Sequence, residues 1–423
     1  MVKALIFFVI VFVCCVVFSS KVKMNKLLKF SLFTQLLFLS ISVINIYDLS
    51  YSPTYSALLI CACIMFLCIG HFTITTILTN TNTSTIEYSV TNDIQYEKVI
   101  KLLFLIIIMP LLFYALKAIN IYTNVIPIYN YRRELFESGG GLLFEYKILF
   151  PVFELIVGGS IQIILLMSLY LFFFESKKKF IIIALLLTIL HSVIFLGRFP
   201  LYRLVSLFFV FYLVSDKKQS GNIIPIVFLG SLTSALIIFS IYRGGVDEIF
   251  SVFLKYVVGY NTFSFNLFEY SVLNTDVING ESTLGLATFG SLGYFISLPI
   301  TWFTSFETYM QSEVFYNQDD FIWLGFMDGV SIDANAFYTM YQEVFFDFGI
   351  LSPLIFFFVG AIISWVDLKA LTGSKIYIFL SIYISSIFLF GNLKNPLIMH
   401  SYVLPVIFVL VVIFWRNFKC MLR

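Results

Sequence analysis

Runs of about twenty apolar residues, each long enough to cross roughly 30 Å of hydrocarbon, recur along the whole chain and constrain its fold more than any other feature. Within lipid a backbone must satisfy its own N–H and C=O groups, so runs of this kind fold as helices. They fall at 4–20, 30–46, 55–78, 99–116, 150–174, 180–197, 200–214, 223–241, 347–366, 376–391 and 397–415. The expectation is an all-α polytopic membrane protein of roughly 11 transmembrane helices, with 1–423 forming a single membrane domain. Composition agrees: 60% of the 423 residues are hydrophobic, 12% are charged and 51 are phenylalanine. A soluble domain could not bury that much apolar surface.

The positive charges orient the spans. With the N-terminus outside, the connections carrying Lys21, Lys23, Lys26 and Lys29, Lys98 and Lys101, Lys177 to Lys179, Lys217 and Lys218, Lys369 and Lys375, and Arg416, Lys419 and Arg423 share one face. They hold sixteen of the 26 Lys and Arg residues, which makes that face cytoplasmic. Four lysines directly after the first run favour a retained span over a cleaved signal peptide. The segment 283–306 is uncharged and long enough to cross. If it did, however, the acidic stretch Glu307 to Asp333 would become cytoplasmic and the C-terminal cations external. It therefore reads as a re-entrant or interfacial helical pair within one large external loop, 242–346. A first external loop, 117–149, contains the flexible run Ser138-Gly139-Gly140-Gly141.

Other classes find no support. A net charge of +2 without a basic patch excludes nothing by itself but offers nothing for nucleic acid. Five of the six cysteines lie in apolar runs, and His71, His191 and His400 are scattered without ligand spacing. No disulfide framework, metal or cofactor is expected.

Lysine mainly sets orientation, whereas five of the seven arginines fall on the external face. Arg198 and Arg203 bracket Pro200 in a tight turn between two spans, and Arg243 ends another span in Tyr242-Arg243-Gly244-Gly245. At that depth a guanidinium is costly without an anion, and its planar fork binds phosphate oxygens bidentately. Arg198, Arg203 and Arg243 are thus candidates for holding a lipid diphosphate, with Arg132 or Arg133 assisting. The plain alternative is that they snorkel to ordinary phospholipid headgroups or pair with loop carboxylates. Eighteen of the 24 carboxylates are external, mostly because the external loops are long. Among them Glu343 and Asp347 are four residues apart and share a helix face, as do Asn335 and Thr339. Asp347, with Asn335 and Glu343, could orient or deprotonate a sugar hydroxyl, or simply pair with the arginines.

In this order and topology, Gly197-Arg198-x-Pro200, Tyr242-Arg243-Gly244-Gly245, and Asn335-x-Phe337 leading to Asp347-Phe348-Gly349 resemble the O-antigen and capsular polysaccharide polymerases of the Wzy type. The resemblance covers nearly the whole chain and rests on pattern. It implies a fold similar to the C-type membrane glycosyltransferases and a location in the bacterial cytoplasmic membrane. It also implies metal-independent transfer from oligosaccharides linked to undecaprenyl diphosphate, with membrane lipid and a chain-length-regulating membrane protein as partners. A flippase for the same lipid-linked unit and an O-antigen ligase are the competing expectations. The first usually shows repeated halves with polar groups at the midplane, and the second relies on a loop histidine.

Overall fold

The computed structural model describes residues 2–19, 21–45, 48–81, 94–215, 258–274, 285, 287–301, 322–327, 330–334 and 339–421. The chain divides into two compact units, each assembled from separate stretches: Met1–Asn92 with Leu254–Met399, and Asp93–Phe253 with His400–Arg423.

The first unit contains α1 (Val2–Phe18), α2 (Lys26–Ile44), α3 (Tyr55–Thr81), α11 (Tyr260–Leu273), α12 (Gly290–Thr301), α13 (Met340–Phe348), α14 (Ser352–Leu371) and α15 (Lys375–Phe390). Its most extensive seam joins α3 and α14. Gly70 and Gly360 make the seam possible, since a Cβ on Gly70 would collide with the Phe357 carbonyl and one on Gly360 with the Leu67 carbonyl. Lipid offers helices no hydrophobic drive to associate, so close backbone approach at small residues supplies the attraction. Polar ties add to it: Tyr341 donates to Gln35 Oε1 at 2.5 Å, and Gln35 Nε2 donates to the Phe388 carbonyl.

The second unit contains α4 (Tyr96–Asn124), α5 (Ile128–Glu137), α6 (Gly141–Phe144), α7 (Leu149–Phe153), α8 (Gly159–Phe174), α9 (Lys179–Phe195), α10 (Phe199–Val214) and α16 (Val403–Met421). On α4 the buried set Ile100, Ile107, Leu111, Ala115 and Ala118 faces α8 and α9, while Leu105, Met109, Phe113 and Leu116 stay exposed on another face. A helix apolar on both its packed and its open face is suited to lipid, not water. α8 is buried on every side, so it forms the core of this unit.

Among the described residues, five helical runs are long and apolar enough to cross a membrane: Lys26–Ile44, Tyr55–Thr79, Tyr96–Asn124, Leu149–Phe174 and Met340–Leu371. Five shorter apolar helices accompany them, and the expected run 223–241 lies outside the described residues. The molecule is therefore a helical, multi-pass type of chain.

Several local expectations need correction. The span expected at 347–366 does not start at Asp347: the helix breaks at Gly349, whose φ of +54° a side chain would resist, and α14 begins at Ser352 ahead of Pro353. Thr339 is the N-cap of α13, and Asn335, expected to share a helix face with it, lies outside the described residues. The run expected at 397–415 opens as two 3-10 turns, Pro396–Ile398 and His400–Tyr402, before α16 begins. Asn395 and Pro396 account for the first, with Asn395 Oδ1 accepting from Leu397 N. The Ser138–Gly141 run is an ordered turn, with Gly139 and Gly140 at φ +61° and +84° and Gly140 N donating to the Leu135 carbonyl at 2.8 Å. Lastly, the expected large loop holds a two-stranded antiparallel ribbon, β1 (Ile322–Met327) and β2 (Val330–Ala334), which packs Leu324 and Ile332 with Leu49, Phe263 and Leu267. Of the segment 283–306, the described residues place the helix α12 at Gly290–Thr301.

Candidate functional site

In the second unit, α9 rises to a sharp turn and α10 leaves it, with Leu196 in the left-handed region at φ +43°. α5 packs against this turn. Tyr131 donates its hydroxyl to the Ile194 carbonyl at 2.9 Å, and Arg132 Nη1 donates to the Phe195 carbonyl at 3.4 Å. Burial raises the Tyr131 phenol well above its ordinary range, so it stays a neutral donor. The Arg132 guanidinium lies 4.9 Å from the Phe136 ring centre, and a Cβ on Gly197 would come 3.2 Å from Nη1. Gly197 thus gives Arg132 the room to reach the turn whose next residue is Arg198. Arg133, one position on, is exposed and pairs with Glu137 at 3.7 Å on its own helix.

Arg203 sits one turn into α10 and is 3% exposed. No carboxylate lies within ion-pair distance of it among the described residues, and its Nε has no hydrogen-bond partner there. The Tyr402 ring is 5.8 Å from the guanidinium carbon. Burying a guanidinium whose Nε lacks a partner among the described residues is costly.

Beside it stands a cluster that sequence reasoning did not pick out. Between α7 and α8 the helix widens into a π-turn, Glu154–Gly158, and Glu154 Oε1 meets His191 Nε2 of α9 at 2.7 Å. His400 and Arg203 lie within electrostatic reach of the same carboxylate. Gly158 closes the turn: a Cβ there would come 2.9 Å from Glu154 Oε2 and 3.0 Å from the Ser401 side chain, while one on Gly159 would meet Leu404 Cβ at 2.5 Å. The two glycines therefore let the 400–404 segment close onto the π-turn and bring His400 and Tyr402 to the cluster. Glu154 precedes α8, His191 ends α9, Arg203 begins α10 and His400 precedes α16, so the alternating helix directions collect all four at one end of the unit. π-turns recur at functional sites because the extra residue re-aims side chains. In the sequence the available signal was a lone carboxylate and a lone histidine inside apolar runs, each a default functional marker at membrane depth.

The acidic candidates Glu343 and Asp347 belong to the first unit, on α13, each 1% exposed. Asp347 accepts from Ala287 N at 3.2 Å and Thr288 N at 2.6 Å, and so fixes the turn that leads into α12. Glu269, on α11, plays a similar part that the sequence did not suggest. It accepts from Thr54 Oγ1 at 2.5 Å, Tyr55 N at 3.2 Å, Ser56 N at 2.8 Å and Ser56 Oγ at 2.7 Å, capping the first turn of α3. Burial works against its charge, but the Thr54 and Ser56 hydrogen bonds prevail and hold the carboxyl below its ordinary range. Arg243 and Asn335 lie outside the described residues. Among the described residues no group of three or more His, Cys, Asp and Glu side chains is arranged to hold a metal ion.

Comparison of the chain with protein-family models, with curated proteins and with solved structures finds no match.

Proposed function

We propose that this chain is a glycosyltransferase of the bacterial cytoplasmic membrane that polymerises oligosaccharide repeat units carried on undecaprenyl diphosphate, building an O-antigen or capsular chain on the outer face. The observation that carries the reading is the buried Arg203, whose Nε is unmet among the described residues, one turn along α10 from Arg198, itself next to the Gly197 that Arg132 touches. A departing lipid diphosphate develops charge that fixed cations stabilise, and preorganised electrostatics of this kind is usually the largest contribution to catalysis. Arg132, Arg198 and Arg203, joined by Arg243, take that role. In the reaction, a terminal sugar hydroxyl of one unit attacks the anomeric carbon of the growing chain. The bond from that carbon to the diphosphate oxygen breaks, and the lipid diphosphate leaves with the electron pair.

The test uses purified full-length protein in lipid and repeat units extracted from source cells lacking it, with products separated by length. A ladder of lengths supports polymerisation. Movement of the unit across liposomes without lengthening would sink it in favour of transport. Arg198→Ala and Arg243→Ala should each abolish the ladder at unchanged protein level, and retained activity in both would remove the diphosphate role.

A further inference from the structure

The paired Glu154 and His191 are not used by the arginine chemistry above, and their geometry gives the two members different parts. His191 is buried, its Nε2 is taken by Glu154, and its Nδ1 is shut from solvent. Glu154 keeps 17% of its side chain exposed, and its Oε2 has no hydrogen-bond partner among the described residues. The carboxylate is thus the more exposed member of the pair. Around it stand Arg203 of α10 and His400 of the 400–402 turn, and the Tyr402 hydroxyl interacts with the side chains of both Arg203 and Gln162. The Gln162 amide, wholly buried on α8, makes no aligned hydrogen bond of its own among the described residues. Beyond its contact with Tyr402, the Gln162 amide keeps hydrogen-bonding capacity at this end of the unit.

From this arrangement we infer that Glu154 takes the proton from the attacking sugar hydroxyl, with His191 as the positioning residue that fixes its carboxylate, and that the acceptor sugar lies against the π-turn beside Gln162 and Arg203. The step balances: the hydroxyl O–H bond breaks towards Glu154 Oε2 as the oxygen bonds to the anomeric carbon, and the electron pair of the breaking glycosidic bond leaves on the diphosphate. The π-turn aims Glu154 across the bare edge of Gly158, and Asp347, whose oxygens already hold two backbone amides, is not needed for this step. The inference rests on the polymerase reading, since it names the base for that reaction.

The experiment compares Glu154→Gln and Glu154→Ala with wild type in the same lipid-reconstituted assay, measuring kcat and KM for extension alongside thermal stability. Glu154→Gln preserves the shape and a hydrogen bond to His191. It should lower kcat by about a hundredfold or more, with KM within about threefold, as expected for loss of a general base. Added formate should restore part of the kcat of Glu154→Ala, a rescue that a purely structural carboxylate would not show. His191→Asn should lower kcat less than Glu154→Gln. Glu154→Gln retaining kcat within about threefold of wild type, or absence of formate rescue in a folded Glu154→Ala, overturns the assignment while leaving polymerisation standing. A wild-type protein that makes no ladder removes both together.

Discussion

Buried charge is treated differently in the two units. In the unit formed by 1–92 and 254–399, Glu269 accepts four hydrogen bonds at the start of α3, and Asp347 accepts two backbone amides before α12. Asp367 belongs to the same pattern, accepting from Asn25 N at 3.1 Å and Ser381 Oγ at 2.5 Å. These carboxylates are filled by the chain's own donors, and what they do is join helices. In the unit formed by 93–253 and 400–423, Arg203 is just as deeply buried, yet among the described residues its Nε is unmet, and Glu154 Oε2 has no hydrogen-bond partner. An unmet buried polar group costs about 1–3 kcal/mol, and a cost of that size persists where a ligand or a reaction repays it.

Substitutions in the two units should have opposite effects on stability and activity. Glu269→Ala should be the largest: it strips the first turn of α3 of its acceptor and should lower stability by at least about 3 kcal/mol, read by thermal unfolding in detergent. Activity per folded molecule should be spared. Arg203→Lys should do the reverse, lowering chain extension by about a hundredfold because the bidentate fork is lost, with little change in unfolding temperature. Equal losses of stability and activity in both variants would erase the distinction. Gly360→Ala, which drives a methyl into the Leu67 carbonyl, should cost about 2 kcal/mol and reduce the yield of folded protein.

Smaller effects sharpen the same line. Glu269 has its carboxyl held below the ordinary range, so its contribution is present above the unfolded value near 4.3 and is lost as pH falls through the folded value. Unfolding temperature in wild type should therefore decline below roughly pH 4, and Glu269→Gln should flatten that decline. Arg133→Ala should change stability by less than about 0.5 kcal/mol, since it removes only an exposed pair with Glu137, and it should leave chain extension intact.

The positions of the apolar helices were legible because lipid-crossing length and composition are local properties. The described helices begin and end within a few residues of most expected runs, as α3, α9 and α10 illustrate. What lay outside the reach of that reasoning was set by contacts distant in the chain. The break at Gly349 depends on a φ that no hydropathy pattern records, and the β1–β2 ribbon lies in a stretch read as loop. Arg132 and Arg198 could be grouped from topology, but choosing between Arg132 and Arg133 required knowing which face of α5 packs on the turn at Gly197. Glu154 and His191 are 37 residues apart in separate apolar runs. Each looked like an isolated polar residue, and their meeting depends on a π-turn that the sequence FPVFELIVGGS does not announce.

The glycine seam between α3 and α14 carries a consequence for biosynthesis. Gly70 and Gly360 are separated by 290 residues, so α3 is complete long before its partner helix exists. At roughly 5–20 residues per second, translation alone leaves that bare backbone groove waiting for about 15–60 s. During this interval lipid, another nascent helix or an insertion factor must occupy it. Release of that temporary occupant, more than helix formation itself, then becomes the step at which maturation of the chain can be delayed or diverted to degradation.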